Sequence, residues 1–412
     1  MVKKLIIFAF VFAFSLNLLV LADENNSKYQ DENVKNVVTE YYSPDLYDDI
    51  VNTSANVRNN IEINAKSAVL MEKSTGKIIF KKNENERVSP ASITKIMTML
   101  LVIEAIESKK ISFYDKVTAS EHAASMGGSQ IWLKVGERMS VHDLLKSVAV
   151  GSANDASVAL AEKVAGSEEA FVAKMNQKAK ELGMKNTNFT NACGLDDDNL
   201  YTSAKDVAIM SKALISHELI KQYTTIWLDT VRNETVQLVN TNKLVRFYKG
   251  ATGLKTGTTN RAGCCLSATA KRGGMELIAV IMGAENSKER FSQAKKLLDF
   301  GFANLFIYKP SKSVKIKNNL RLAKGQKNSV KIKCNKIENE LLDLNRKGNI
   351  RVNVSYKNNL QAPIIKGEVL GNVAVEDGNK PFRTYDIYAD ETVEKANFKF
   401  NLLRLLKGTI IL

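Results

Sequence analysis

A serine stands three residues ahead of a lysine in Ser92-Ile93-Thr94-Lys95, at the mouth of an apolar stretch. On a helix that spacing puts both side chains on one face, so the Lys95 amine can reach the Ser92 hydroxyl. A serine hydroxyl is a poor nucleophile at neutral pH, and a lysine with an ordinary pKa of ~10.4 is protonated there. The pair therefore needs Lys95 desolvated or crowded by positive charge. Ile93, Ile96, Met97, Leu100, Leu101 and Ile103 supply the apolar setting. The same spacing recurs at Ser74–Lys77 and Ser292–Lys295, which read as turn and helix surface, so the tetrapeptide alone does not define a site.

Two later stretches complete a chemical set: Ser152-Ala153-Asn154 and Lys255-Thr256-Gly257. Ser92 would attack a carbonyl, Lys95 would take its proton, and Ser152 would relay that proton to a leaving amine. Asn154 offers an amide to orient a peptide backbone. Lys255 adds positive charge beside Lys95 and a partner for a substrate carboxylate, Thr256 adds a hydroxyl, and Gly257 lets substrate approach the strand closely. The backbone N–H groups of Ser92 and Thr258 are oxyanion donors by position. Ser54-Ala55-Asn56 also fits the second pattern, but it precedes the first and lies in a leader-like region.

The ordered triple resembles the signature shared by penicillin-binding proteins and class A β-lactamases, with Ala153 where the pattern carries Asp. From about Ile61 to the C-terminus the chain resembles the serine D-alanyl-D-alanine carboxypeptidases of the low-molecular-mass penicillin-binding proteins. The resemblance extends to Ser89-Pro90-Ala91-Ser92-Ile93-Thr94-Lys95-Ile96-Met97-Thr98, Gly253-Leu254-Lys255-Thr256-Gly257 and Gln361-Ala362-Pro363-Ile364-Ile365-Lys366-Gly367. It implies a transpeptidase-like domain that trims the terminal D-alanine from peptidoglycan stem peptides, inhibition by β-lactams, a small β domain and a C-terminal amphipathic membrane anchor. It also implies Arg290 as a second carboxylate partner. Thr252 and Leu200 depart from it, standing where the family often has an acidic residue and a histidine.

The chain has 412 residues, enough for two domains with separate cores. Lys3 and Lys4 precede the apolar run Leu5 to Leu21, and Val20-Leu21-Ala22 offers small residues at a cleavage site, which reads as an export signal over residues 1–22. An uncleaved anchor is the competing reading, but Ser15 and Asn17 interrupt a run shorter than the ~20 residues a span needs. The expected location is outside the cytoplasm, either peripheral on the outer face of the cytoplasmic membrane or secreted. A net charge of +15 could suit nucleic acid, yet the lysines are scattered with no aromatic-studded basic motif, so no nucleic-acid partner is expected. Anionic wall polymers and lipid headgroups suit an exported basic protein better. Four cysteines are too few for a disulfide framework, and adjacent Cys264 and Cys265 would point to opposite faces of a strand. His122, His142 and His217 are isolated, so neither a metal nor a cofactor is expected.

The elements that must position the triple can be read in order. Residues 23–60 lack periodicity and read as a spacer. Strands are expected at Ser67 to Glu72 and Lys77 to Phe80, then the nucleophile helix, then a helix capped by Ser140 that leads to Ser152. Asp155 to Ala165 and Ser167 to Leu182 read as helices stopped by Gly166 and Gly183. Ser203 caps another, Ala251 to Gly257 is extended, and Cys264 to Ala270 and Met275 to Met282 form a hairpin before a closing helix from Ser287 to about Leu298.

The fold class expected is α+β. A β-lactamase/transpeptidase-like domain over 61–305, an antiparallel sheet flanked by helices with its first and last strands meeting, precedes a small β-rich domain over 306–395. Alternation at Val314-Lys315-Ile316, Val330-Lys331-Ile332, Ile350 to Val354 and Val369 to Val373 marks the second domain. Residues 396–412 read as an amphipathic tail, because Phe398, Leu402, Leu405 and Leu406 share a helical face while Asn397, Asn401 and Arg404 face away.

Three other functions fit parts of the pattern. A peptidoglycan endopeptidase would use the same machinery in a differently shaped cleft. A class A β-lactamase would need a glutamate-bearing loop after the second motif, and Lys185 to Leu200 holds Asp196, Asp197 and Asp198 but no glutamate. A non-catalytic wall-binding protein would not need the three motifs intact.

Overall fold

The computed structural model describes residues 61–409 except Asn379, with side chains in the last helix as far as Leu403. The export signal, the spacer and Ser54-Ala55-Asn56 lie outside the described residues. The first domain is built on β1 (Ser67–Glu72), β2 (Ile78–Lys82), β7 (Ala251–Thr259), β8 (Gly263–Arg272) and β9 (Met275–Ala284), in the antiparallel order β2-β1-β9-β8-β7. As expected, sequence-distant β1 and β9 are paired, with Val69 opposite Val280. The strand bearing Lys255 is the sheet edge and faces the nucleophile turn.

Both faces of this sheet are covered, which explains near-continuous apolar strands instead of simple alternation. Helix α1 (Lys95–Glu107) is buried almost all round and is the centre of one core with α2 (Val141–Lys146), α3 (Asn154–Ala165), α4 (Glu168–Glu181) and α5 (Ala204–Leu214). On the other face α6 (Ser287–Asn304), longer than its sequence periodicity suggested, packs Phe291, Leu297 and Leu298 against Leu266 and Ile281. Cys264 and Cys265 enter these opposite cores, and Cys193, Cys264, Cys265 and Cys334 are all free thiols.

Local signals set the helix ends. Ser140, Ser167 and Ser203 each accept a hydrogen bond from the backbone N–H three residues on, the Ncap arrangement that satisfies an orphan donor. Gly166 follows α3 at φ +90°. Two short antiparallel pairs escaped the sequence reading: β3 (Lys116–Thr118) with β4 (Arg138–Ser140), and β5 (Leu228–Val231) with β6 (Val236–Val239). Strands of three or four residues hold too few alternations to be seen.

The second domain carries β11 (Asn319–Arg321), β12 (Ser329–Cys334), β14 (Ile350–Tyr356), β15 (Val369–Asp377) and β16 (Lys380–Ala389) in the order β11-β12-β16-β15-β14. A separate pair, β10 (Leu305–Tyr308) and β13 (Glu340–Asp343), follows directly from α6. There Lys77 Nζ meets Glu340 at 3.2 Å, while Leu305, Ile307 and Leu341 pack on the first domain's core. Val314-Lys315-Ile316, part of the alternation that marks this domain, joins no ladder; Val314 and Ile316 pack on the β-domain core, but a strand also needs a paired neighbour. The chain then enters α7 (Phe398–Thr409), where the tail was expected. Among the described residues no helix is long and apolar enough to cross a membrane.

Candidate active site

Ser92 does not sit on α1 itself but in a single 3-10 turn, Ala91–Thr94, that feeds Lys95 as the first residue of α1. Side chains three apart nearly eclipse in a 3-10 turn, so the spacing works even better than in an α-helix. Lys95 Nζ lies 2.9 Å from Ser92 Oγ, 2.5 Å from Asn154 Oδ1 and 2.6 Å from the Cys193 carbonyl. Asn154 Oδ1 and Cys193 O can only accept, so they take two of the amine's N–H bonds. The third direction, toward Ser92, is where the lone pair of a neutral amine points.

Burial, the dominant cause, lowers the Lys95 pKa to about 8, while Cys193 and Asp155 pull it the other way. Lys255 is also buried, donates to the Thr256 carbonyl at 3.0 Å, and is pushed well below its usual range by burial, then by Lys95 and Arg290. Removing two cations from water costs several kcal/mol each unless they are compensated. A bound carboxylate would favour the charged form of both lysines.

The remaining residues of the expected set converge on the same place. Thr256 Oγ1 donates to Thr241 Oγ1 at 2.7 Å, and Arg290 Nη1 donates to Thr258 Oγ1 at 2.8 Å. Arg290 is buried, and its Nε has no hydrogen-bond partner. A Cβ on Gly257 would lie 3.1 Å from Ser92 N and 3.0 Å from the Pro90 carbonyl, so glycine is what lets the edge strand lie against the nucleophile turn. Asn154 was expected to face substrate; its two ends are instead held by Lys95 and by the Gly127 carbonyl, to which Nδ2 donates at 2.6 Å. Ser152 is buried in a left-handed conformation, φ +64°, after the π-turn Ser147–Gly151, and is not among the partners of Lys95.

Several participants were invisible in the sequence. Cys193 acts through its carbonyl, which carries no side-chain signature. Asn191 Oδ1 accepts from Gly194 N at 2.6 Å and Leu195 N at 3.1 Å, and Glu168 accepts from Ala192 N at 2.8 Å, which together fix that carbonyl. Buried Asp155 accepts from Ile131 N and Leu133 N, tying the 127–133 loop to α3. The pKa of Lys243 is lowered by burial and then by the charge of Arg290. His122 contacts Glu168, His142 contacts Tyr223 and His217 contacts Glu107; among the described residues no three metal-ligating side chains cluster.

Comparison with known proteins identifies the family. Residues 52–286 match the peptidase S11 family, described as D-alanyl-D-alanine carboxypeptidase, and residues 304–395 match the C-terminal domain of penicillin-binding protein 5. The chain is 46% identical over 341 residues to D-alanyl-D-alanine carboxypeptidase DacF of Bacillus subtilis, covering 81% of this chain and 87% of that protein. It is 34% identical to DacC of Escherichia coli, covering 82% of this chain and 86% of the relative. Penicillin-binding protein 5 of Haemophilus influenzae superposes with a TM-score of 0.70 at 33% identity, over 82% of this chain and 100% of the other. An ampicillin-bound penicillin-binding protein D2 of Listeria monocytogenes gives 0.55 at 31% identity, over 60% and 100%. Half-buried Ser92 beside buried Lys95 faces an edge strand that bears a second buried lysine, and the chain belongs to the serine D-alanyl-D-alanine carboxypeptidases.

Proposed function

We propose that Ser92 is the nucleophile that takes the penultimate D-alanine carbonyl of a peptidoglycan stem peptide, and that Lys95 is its base. The 2.9 Å approach of Lys95 Nζ to Ser92 Oγ, on a lysine whose pKa is about 8, is the observation that carries this reading. The Ser92 proton passes to Lys95 as the Oγ–carbonyl bond forms, and the oxyanion faces the N–H groups of Ser92 and Thr258. Ser152 delivers a proton to the departing D-alanine amine, and water then hydrolyses the ester. Lys255, Thr256 and Arg290 hold the terminal carboxylate, joined by Lys243, which the sequence reading did not include. Asn154 positions Lys95 through its Oδ1 in addition to any contact with substrate. A β-lactam presents the same carbonyl and carboxylate to these groups and acylates Ser92.

The rate of acylation tests Lys95. Only its neutral form accepts the proton, and with a pKa of about 8 roughly a tenth is neutral at pH 7. Acylation should therefore rise about ninefold from pH 6 to 7 and about fivefold from pH 7 to 8, then level off, measured by stopped-flow penicillin binding. A flat rate from pH 6 to 9 would remove Lys95 as the base.

The export signal, 1–22, and the tail, 396–412, support an enzyme on the outer face of the cytoplasmic membrane. In α7, Phe398 is 82% exposed and Leu402 and Leu403 are half exposed, with Lys399, Arg404 and Lys407 interspersed in sequence. Apolar side chains with no protein to cover them, on a helix carrying cations, suit a bilayer interface. Truncation after Ala396 should release the protein from membrane fractions without changing hydrolysis of a soluble peptide; unchanged fractionation would mean that the tail is not the anchor.

A further inference from the structure

Three segments meet where α7 leaves the small domain. The turn between β11 and β12 accepts Ala396 N at the Lys324 carbonyl, 2.8 Å, and donates Gln326 N to the Glu394 carbonyl, 2.9 Å. The 364–368 turn is held to the same segment by reciprocal Ile364–Val393 backbone bonds of 3.0 and 2.8 Å, and Lys366 N donates to Thr392 Oγ1 at 3.0 Å. Ile364 is buried in the core, whereas Ile365, at the tip of this turn, is 66% exposed.

A single exposed isoleucine is ordinary on a protein surface. Its surroundings are not. Lys324, Lys327, Lys366 and Lys395 are all exposed on these segments. Of the nearby carboxylates, Glu391 is engaged by Lys327 and by Lys331 N, and Asp390 pairs with Lys333 at 2.9 Å, leaving Glu368 and Glu394. From Lys309 to Lys336 the chain holds ten Lys and Arg and no Asp or Glu, so the β11–β12 side of the domain extends the positive field. Alternation on β12 turns Lys331 and Lys333 outward while Val330 and Ile332 are buried. An apolar tip on segments that carry exposed lysines, at the root of an amphipathic helix, has the composition of a bilayer contact, in which apolar insertion and attraction to anionic headgroups add.

We propose that this end of the small domain is itself a membrane-contact surface: Ile365 enters the headgroup boundary of an anionic bilayer while Lys324, Lys366 and Lys395 lie over lipid phosphates. The inference rests on the tail reading above for the direction in which the domain faces the membrane. One amphipathic helix and one basic, apolar-tipped face make two attachments, which hold the domain in a fixed orientation as a single flexible tether would not.

Partition of the full chain, as isolated from the expressing cells, between buffer and sedimentable vesicles tests this. Vesicles of phosphatidylglycerol with phosphatidylcholine and of phosphatidylcholine alone are compared for Ile365→Ser, for the pair Lys324→Glu and Lys366→Glu, and for truncation after Ala396. Ile365→Ser should lower partition about tenfold on anionic vesicles, and the charge pair should lower it about tenfold or more there but little on neutral ones. Turnover of a soluble D-alanyl-D-alanine peptide should stay unchanged, as a check on folding. If both variants bind like the parent while truncation abolishes binding, the tail reading stands and this surface is overturned. If truncation leaves binding intact, the tail reading fails, and the surface survives only if Ile365→Ser still weakens the truncated protein. If the charge pair loses affinity chiefly for soluble poly(glycerol phosphate) and Ile365→Ser changes nothing, the face serves a wall polymer and the proposal is wrong.

Discussion

Ser92→Ala and Lys95→Ala are each expected to lower turnover of a D-alanyl-D-alanine peptide by ~10³-fold or more, because nucleophile and base act as one unit. Ser92→Ala should leave stability within about 0.5 kcal/mol, since it removes one hydroxyl and no packing. Lys95→Ala is less simple. It strands the acceptors Asn154 Oδ1 and Cys193 O, yet it also removes a buried cation, and the two effects oppose each other. Turnover by steady-state kinetics and thermal melting of both variants separate catalysis from folding; wild-type-like turnover in either variant would dismiss the pair.

The second large effect is expected at Gly194, far from any motif. Its φ is +87°, and a Cβ there would lie 1.9 Å from the Ala91 carbonyl oxygen and 2.9 Å from Thr94 Oγ1. Ala91 itself holds φ +47°, an uncommon value for a residue with a side chain, so the nucleophile turn is strained as well as tightly covered. Gly194→Ala must push apart the turn that carries Ser92 and the loop whose Cys193 carbonyl holds Lys95. A displacement near 1 Å suffices for a loss of about 10²-fold in acylation, with a stability loss of a few kcal/mol. Gly183→Ala is the control, with a similar φ of +75° and nothing within 4 Å of a Cβ. It should cost about 1–2 kcal/mol and leave acylation untouched. Equal effects at both glycines, read by penicillin-binding rate and melting temperature, would show that backbone strain alone matters.

These two predictions also mark what the sequence could and could not reveal. Ser92, Lys95 and Lys255 were legible because their chemistry lies in side chains at fixed spacing on a turn and a strand. Helix limits at Ser140, Gly166 and Ser203 were legible because capping is local. The pairing of β1 with β9 was expected from the order of elements, although the residues in register were not. The Cys193 carbonyl and the close approach at Gly194 are backbone features that depend on chain segments about a hundred residues apart, and no spacing encodes them. Asn154 was recognised as part of the set, but its hold on Lys95 needed the fold to appear. Lys243, whose pKa the charge of Arg290 helps to lower, was overlooked because nothing nearby in sequence marks it. Val314–Ile316 shows the reverse case, a true in-out alternation without a partner strand.

The longevity of the penicillin adduct bears most directly on the central claim. After peptide attack D-alanine leaves and water can enter, whereas a β-lactam keeps its leaving group tethered in the same place. The Lys185 to Leu200 segment holds no glutamate to activate water. Glu168, a glutamate tied to that loop, is occupied by Ala192 N and His122. On the proposed roles, Lys95 and Ser152 would be what remains to promote hydrolysis. Intact-protein mass spectrometry after mixing with excess benzylpenicillin should show one adduct per chain, mapped to Ser92, persisting for minutes or longer and absent in Ser92→Ala. An adduct on another residue, or one that vanishes within seconds while the antibiotic is consumed, would contradict the account.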